Sequence, residues 1–175
     1  FYGPVSGNVL LRKRQYESLN EPAFSRNLVQ SILFAKLRNS KLVLLRAART
    51  TKDDSTHNDL LAGAELLTQS AARLPSCETI DAMRGVEGSA ATAYFARFDL
   101  MMQNNPAGFC FTTRTRRPPR DEVNALLSFT YMLLTREIQS AMETVGLDPA
   151  AGYLHTLRPG RPSFALDLLE ELRAA

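Results

Sequence analysis

Between residues 24 and 48 the apolar positions Leu28, Ile32, Leu33, Ala35, Leu42, Val43 and Leu45 recur mostly at steps of three and four, as one buried helix face requires. Pro22 suits the first turn, so a long amphipathic helix is predicted. Arg26, Lys36, Arg38, Lys41 and Arg46 fall on its polar side, which reads as a solvated face in preference to a DNA track. The polar stretch 50–56 breaks the pattern, Asn58 can cap a second helix running to about Arg73, and Pro75 ends it. Over 79–103 the pattern predicts a short helix, an interruption flanked by Gly85, and a longer helix bearing Ala93, Phe95, Phe98, Met101 and Met102. Residues 104–120 are rich in Asn, Pro, Gly and Arg, with Phe109-Cys110-Phe111 as the apolar anchor, and read as a loop. Asp121 then precedes Val123, Leu126, Leu127, Leu133, Leu134, Ile138 and Met142, which predicts a helix capped by Asp121 and ended by Gly146. A loop carries Tyr153, His155 and Arg158, and a last helix begins near Pro162 or Ser163. Strand signals are scarce, so the fold class is all-α.

Composition refines this picture modestly. A chain of 175 residues with 45% hydrophobic content can bury one sizeable core. A net charge of +3 does not demand an anionic partner, but the arginines cluster, at Arg12 and Arg14, at Arg114, Arg116, Arg117 and Arg120, and at Arg158 and Arg161. Such clusters are either solvated loops or patches for a phosphate backbone. Cys77 and Cys110 have no metal-ligand spacing and give no disulfide framework, so a reducing cytoplasm is expected. No run approaches the roughly 20 apolar residues of a membrane span, and no membrane partner is expected. The chain opens on Phe1, in a strand-like or loop-like segment, and closes inside a helical pattern, which reads as a piece cut at both ends.

Candidate chemistry concentrates in residues 155–171, where His155, Arg158, Arg161, Asp167, Glu170 and Glu171 lie close together in sequence. On a helix Asp167 and Glu170 stand at i and i+3, on neighbouring points of one side. Phe164, Ala165, Leu168, Leu169 and Leu172 form the apolar stripe, which leaves both acids off the core face. Periodicity therefore reads them as a solvated acidic face. A metal-dependent nuclease needs oxygen ligands, and an imidazole can join them, around a divalent ion with open positions for a phosphoryl oxygen and a hydroxyl. His155 and Glu170 are suitable types. Gly85-Val86-Glu87-Gly88 offers a third, because glycines beside an acid permit close approach; a helix N-terminus is the competing reading of that Glu.

The wording carries more than the spacing does. The run from Val86 and Glu87 to Tyr94 and Phe95, the run from Arg116 and Arg117 through Asn124 and Ser128 to Tyr131, and Asp148-Pro149 followed by Leu154-His155-Thr156-Leu157-Arg158-Pro159-Gly160-Arg161 through Asp167 to Glu170 together resemble the CRISPR-associated endonuclease, or integrase, of spacer acquisition. Gly3-Pro4-Val5-Ser6-Gly7-Asn8 with Arg12, Gln15 and Tyr16 resembles that family's inter-domain join, in wording near its type I-C branch. The resemblance implies a join over residues 1–20 and an α-helical catalytic domain over 21–175, without the family's N-terminal β-domain and last helices. It implies magnesium or manganese held by Glu87, His155 and Glu170, with Asp167 beside the ligands and Arg116, Arg117, Arg158 and Arg161 toward DNA. The implied activity inserts spacer DNA into a CRISPR array by phosphodiester transesterification. Its implied partners are double-stranded DNA (spacer precursor and CRISPR repeat), a second copy in a homodimer of the full-length protein, and a small acquisition partner of the Cas-two family. Two other readings stay open: a non-catalytic helical DNA-binding or assembly module, and a nuclease acting on branched DNA in repair. Tyr94 and Tyr131 are read as core residues before DNA contacts.

Overall fold

The structure, a computed structural model, describes residues 8–102 and 108–174, and every regular element among them is helical. Six α-helices follow in order: α1 (Val9–Ser18), α2 (Pro22–Thr50), α3 (Asp54–Arg73), α4 (Ile80–Phe95), α5 (Glu122–Val145) and α6 (Ser163–Leu172). The expected all-α class is the one that forms. The opening residues 1–5, read as strand-like or loop-like, and residues 103–107 lie outside the described residues.

Helix α2 is the axis of the fold. Pro22 occupies its first turn, and Val29, Ile32, Leu33, Leu37, Leu44 and Ala48 are buried along its length. It packs against α3, α4 and α6, and α6 in turn packs against α5. The core gathers Leu60, Ala64 and Leu67 of α3, Met83, Val86, Ala90 and Tyr94 of α4, and Phe164 and Ala165 of α6 around it. Among the described residues no helix is long and apolar enough to cross a membrane.

Three boundaries differ from the sequence expectation, each for a physical reason. Helix α3 starts at Asp54 rather than after Asn58, because the Asp53 carboxylate accepts the Thr56 N–H at 2.7 Å and satisfies one of the donors a helix start leaves unpaired. Helix α4 runs unbroken through Gly85 and Gly88 and stops at Phe95. A helical glycine costs about 1 kcal/mol against alanine, less than burial of Met83, Val86, Ala90 and Tyr94 returns. Beyond it the chain turns into a short 3-10 segment, Asp99–Met101, and Phe98 packs against Phe111 with tilted rings 4.7 Å apart between centroids. The third difference is α1, which no apolar periodicity announces. Its buried residues are Gln15 and Ser18, whereas Val9 and Leu10 are exposed. Gln15 donates to the Asp148 carbonyl at 2.9 Å and accepts from the Asp148 N–H at 2.8 Å, and Ser18 shares a hydrogen bond with the Tyr153 hydroxyl. Polar contacts with the loop before α6 thus fix this helix.

Helix α5 keeps both expected ends: Asp121 accepts the Asn124 N–H, and Gly146 takes the left-handed conformation, φ 90°, that ends helices with least strain at glycine. Its apolar residues are only partly covered, with Leu126, Phe129, Met132 and Leu133 exposed. Cys77 and Cys110 are free thiols.

Candidate metal centre

Helix α6 organises the site through Asp167, which is fully buried. Its carboxylate accepts three successive backbone N–H groups, from Tyr153 at 2.6 Å, Leu154 at 2.9 Å and His155 at 2.8 Å, and lies 2.7 Å from Nδ1 of His155. A carboxylate can only accept, so Nδ1 carries the proton and Nε2 is left to face the opposite way. That nitrogen is 3.7 Å from Oε1 of Glu170, one turn further along α6. The loop reaches α6 closely because position 152 is glycine: a Cβ there would lie 2.6 Å from the Ser163 carbonyl carbon. The Pro149 carbonyl accepts from Phe164 N–H at 2.8 Å and closes the same join.

Helix α4 mirrors this arrangement. Arg84 donates from Nε to the Leu154 carbonyl at 3.0 Å, holding the peptide just before His155, and Glu87 follows one turn later. Glu87 shares the inward face of Met83 and Ala90, being four residues from one and three from the other. Glu87, His155, Glu170, Arg84 and Arg161 all line one pocket of about 210 Å³.

Two acids read as solvated are therefore buried. Asp167 and Glu170 sit against the core at 0% and 3% exposure, because each is neutralised or hydrogen-bonded there, the condition for burying a charge. Glu170 accepts from Lys36 at 2.5 Å and is ion-paired with Arg173 at 3.0 Å. Burial pushes its carboxyl pKa up, but Lys36 and then Arg173 outweigh that, and the net direction is below the usual carboxylate value. Lys36 also donates to Glu87, so one ammonium lies between the two carboxylates. It too is buried, at 7% exposure, and not on the solvated side of α2. The signal was present: Lys36 falls between Leu33 and Leu37, on the register that carries Val29, Ser40 and Leu44 inward.

As the side chains stand, no three His, Cys, Asp or Glu groups among the described residues form a ready metal shell, since the ammonium fills the space between Glu87 and Glu170. The donor types and the charge fit a divalent ion all the same. Two carboxylates and an imidazole nitrogen converge there, and the place between the acids already holds a cation.

A second pocket adjoins the first through Glu87 and is lined also by Lys36, Arg114, Arg116, Tyr131 and Arg173. Arg114 and Arg173 each lie 5.6 Å from the Tyr131 ring centroid, in cation–π contact, and the Tyr131 hydroxyl donates to the Arg173 carbonyl at 2.7 Å. Fully buried Asn124 pins the root of the arginine loop: it accepts from Thr115 N–H and Arg114, and donates to the Thr113 carbonyl. Of the arginines expected toward DNA, Arg161 lines the first pocket and Arg116 the second. Arg117 is exposed and lines neither, and Arg158 lies apart, beside Tyr16, Ala150 and Leu157. Tyr94 is core, as expected. Lys36, Arg84, Arg173 and Gly152 were not singled out by the sequence.

The family model of CRISPR associated protein Cas1 matches residues 1–175. The chain belongs to the Cas1 family. It is 47% identical over 175 residues to the CRISPR-associated endonuclease Cas1 2 of Rhodospirillum rubrum, covering 98% of this chain and 50% of that relative. The chain thus spans about half the length of the curated Cas1 relatives it matches. Its fold is similar to a casposase bound to an integration product, with a TM-score of 0.80, 25% identity, and coverage of 99% of this chain and 46% of that one. It is similar also to a chain of a partial Cas6-RT-Cas1–Cas2 complex, with a TM-score of 0.79, 26% identity, and coverage of 91% and 45%. The two helices that build the site here lie within the residues that the Cas1 family model matches.

Proposed function

We propose that this Cas1-family chain carries the metal-dependent centre of a DNA endonuclease and integrase, with Glu87, His155 and Glu170 as the ligands of Mg2+ or Mn2+. The observation that carries the reading is the convergence of Glu87, His155 and Glu170 on one pocket, with a cation already bonded to both of its carboxylates. A divalent ion bound there would polarise a phosphodiester and lower the pKa of a nearby hydroxyl. The mixed nitrogen and oxygen set suits manganese better than magnesium. Asp167 fixes the ring of His155, Arg84 fixes the peptide before it, and Arg161 and Arg116 supply positive charge on either side for the DNA backbone.

The reaction proposed for the whole protein is insertion of spacer DNA into a CRISPR array. A bond forms between the spacer 3′-hydroxyl oxygen and a repeat-strand phosphorus, and the repeat phosphodiester breaks, leaving a hydroxyl on the departing strand. Double-stranded DNA, a second copy of the protein and a Cas2-type partner are the proposed partners. In support, one structural relative is bound to an integration product and another belongs to a complex with Cas2. The N-terminal wording supports the type I-C branch. In the full chain, Mn2+ added after chelation is expected to raise the melting temperature and to permit joining of a 3′-hydroxyl DNA end to a repeat duplex. Joining that persists in EDTA would refute metal dependence, and DNA binding with no divalent-dependent turnover would leave the binding or assembly module.

Two further outcomes probe the DNA side. Arg161→Ala should weaken binding to all sequences alike and lower the slope of log affinity against log salt by about one, as loss of one phosphate contact does. An unchanged slope in a filter-binding titration would make Arg161 structural. Gly85 and Gly88 flank Glu87 on exposed helix surface, and a Cβ at either would meet nothing within 4 Å. Gly88→Ala should therefore stabilise α4 by about 0.5–1 kcal/mol. If bare backbone there serves close approach of DNA, the same variant should melt higher yet join strands more slowly. Higher melting with unchanged joining would count against that use of Gly88.

A further inference from the structure

The least expected group in the site is Lys36. A lysine is rarely buried without a partner, and this one has two, both of them the carboxylates assigned above to the metal. Its Nζ is at 2.5 Å from Oε2 of Glu170 and in hydrogen-bond contact with Oε1 of Glu87. It stands on α2, between Leu33 and Leu37, which are themselves buried, so its stem has little freedom except along the line to the site. Arg173 takes the other oxygen of Glu170 at 3.0 Å, and Asp167 is committed to the loop amides, so no further cation reaches Glu87 from these groups. Without Lys36, two carboxylates would face one partly buried space with no cation between them, an arrangement that like-charge repulsion and desolvation both oppose.

We propose that Lys36 is the resident counter-cation of the centre: it holds Glu87 and Glu170 together before a divalent ion arrives, and it competes with that ion for the same two carboxylates. The inference rests on the metal reading given above. An ammonium cannot stay on Glu87 Oε1 and Glu170 Oε2 while an ion takes those oxygens, so binding of the ion through them requires the Lys36 side chain to withdraw. Lys36 therefore does two opposite things. It stabilises the metal-free fold, and it weakens metal binding by the free energy of the contacts that must be broken.

The test is calorimetric titration of Mn2+ into the chelator-treated full chain, together with melting temperatures in EDTA and in Mn2+. Lys36→Met, which keeps the stem and removes the charge, should melt lower than the parent in EDTA. It should bind Mn2+ roughly tenfold tighter or more, as expected when a charge-assisted hydrogen bond no longer has to be broken. It should also gain more in melting temperature from Mn2+ than the parent does. Lys36→Arg, which restores a cation, should return both quantities toward the parent. A merely structural lysine would lower the melting temperature without tightening Mn2+ binding, and equal or weaker Mn2+ affinity in Lys36→Met overturns the proposal. Should that variant fail to fold, Lys36→Gln carries the same expectations with a neutral donor in place. If the folded parent and both neutral variants all fail to bind Mn2+, the metal reading itself falls, which is a different result from unchanged affinity.

Discussion

Glu170→Gln is expected to abolish strand transfer and metal-dependent cleavage in the full chain, while Glu171→Gln leaves both intact. The two residues are adjacent, and each change removes one negative charge at nearly constant volume. Only Glu170 faces the pocket shared with Glu87 and His155, whereas Glu171 touches neighbouring structure through its backbone carbonyl, which accepts from Asn39 at 2.7 Å. The loss of activity should exceed the roughly 10–100-fold that removal of an outer partner of a metal ligand costs. DNA binding should stay within a few-fold of the parent, because phosphate contacts dominate affinity. Glu170 also pairs Lys36 and Arg173 inside the protein, so Glu170→Gln should lose about 1–3 kcal/mol of stability that Glu171→Gln keeps. Circular dichroism and a urea melt at the assay temperature verify that the variant is folded. Equal strand transfer by the two variants would sink the assignment of Glu170 as a ligand.

Asp167→Ala should be the most destabilising single change in the site. One carboxylate satisfies three successive amides and the imidazole, and alanine strands them, the Tyr153 and Leu154 amides in buried surroundings. The expected cost is on the order of 3–5 kcal/mol, since each stranded buried donor carries a penalty of about 1–3 kcal/mol and the three are not independent. Asp167→Asn, which keeps two acceptor lone pairs but presents an amide NH2 as well, should lose less stability. It should still weaken Mn2+ binding, because an NH2 group facing Nδ1 favours the ring tautomer with its proton on Nε2. A urea denaturation midpoint for Asp167→Ala equivalent to less than about 1 kcal/mol of loss would mean that the loop holds itself without this acceptor.

The existence of α2, α5 and α6 was legible in the sequence from three- and four-residue apolar spacing, although Leu42, Leu126, Leu133 and Leu172 of those patterns are exposed. The elements that escaped are those held by polar contacts. Helix α1 buries Gln15 and Ser18 rather than its leucines, and α4 carries two glycines that propensity alone would place at a break. The same blindness hid the chemistry. Lys36, Asp167 and Glu170 were read as surface charges because charge was treated as a preference for water, whereas in this fold each charge has found its opposite or a set of amides inside. Glu87, His155 and Glu170 were candidates by residue type, and the wording of a family raised them above caps and surface charges.

Helices α4 and α6 each carry a fastener and a pocket-facing acid at the same interval: Arg84 then Glu87, Asp167 then Glu170. Three residues of α-helix advance about 4.5 Å and turn about 300°, so each helix works as a ruler laid between the histidine loop and the pocket. A residue inserted within either triplet would swing the acid about 100° around its axis while the fastener stayed on the loop. Insertions elsewhere in the loops would leave both measurements alone. Length variation in this chain should therefore be tolerated at the turns and the arginine loop, and forbidden across two intervals of three residues each.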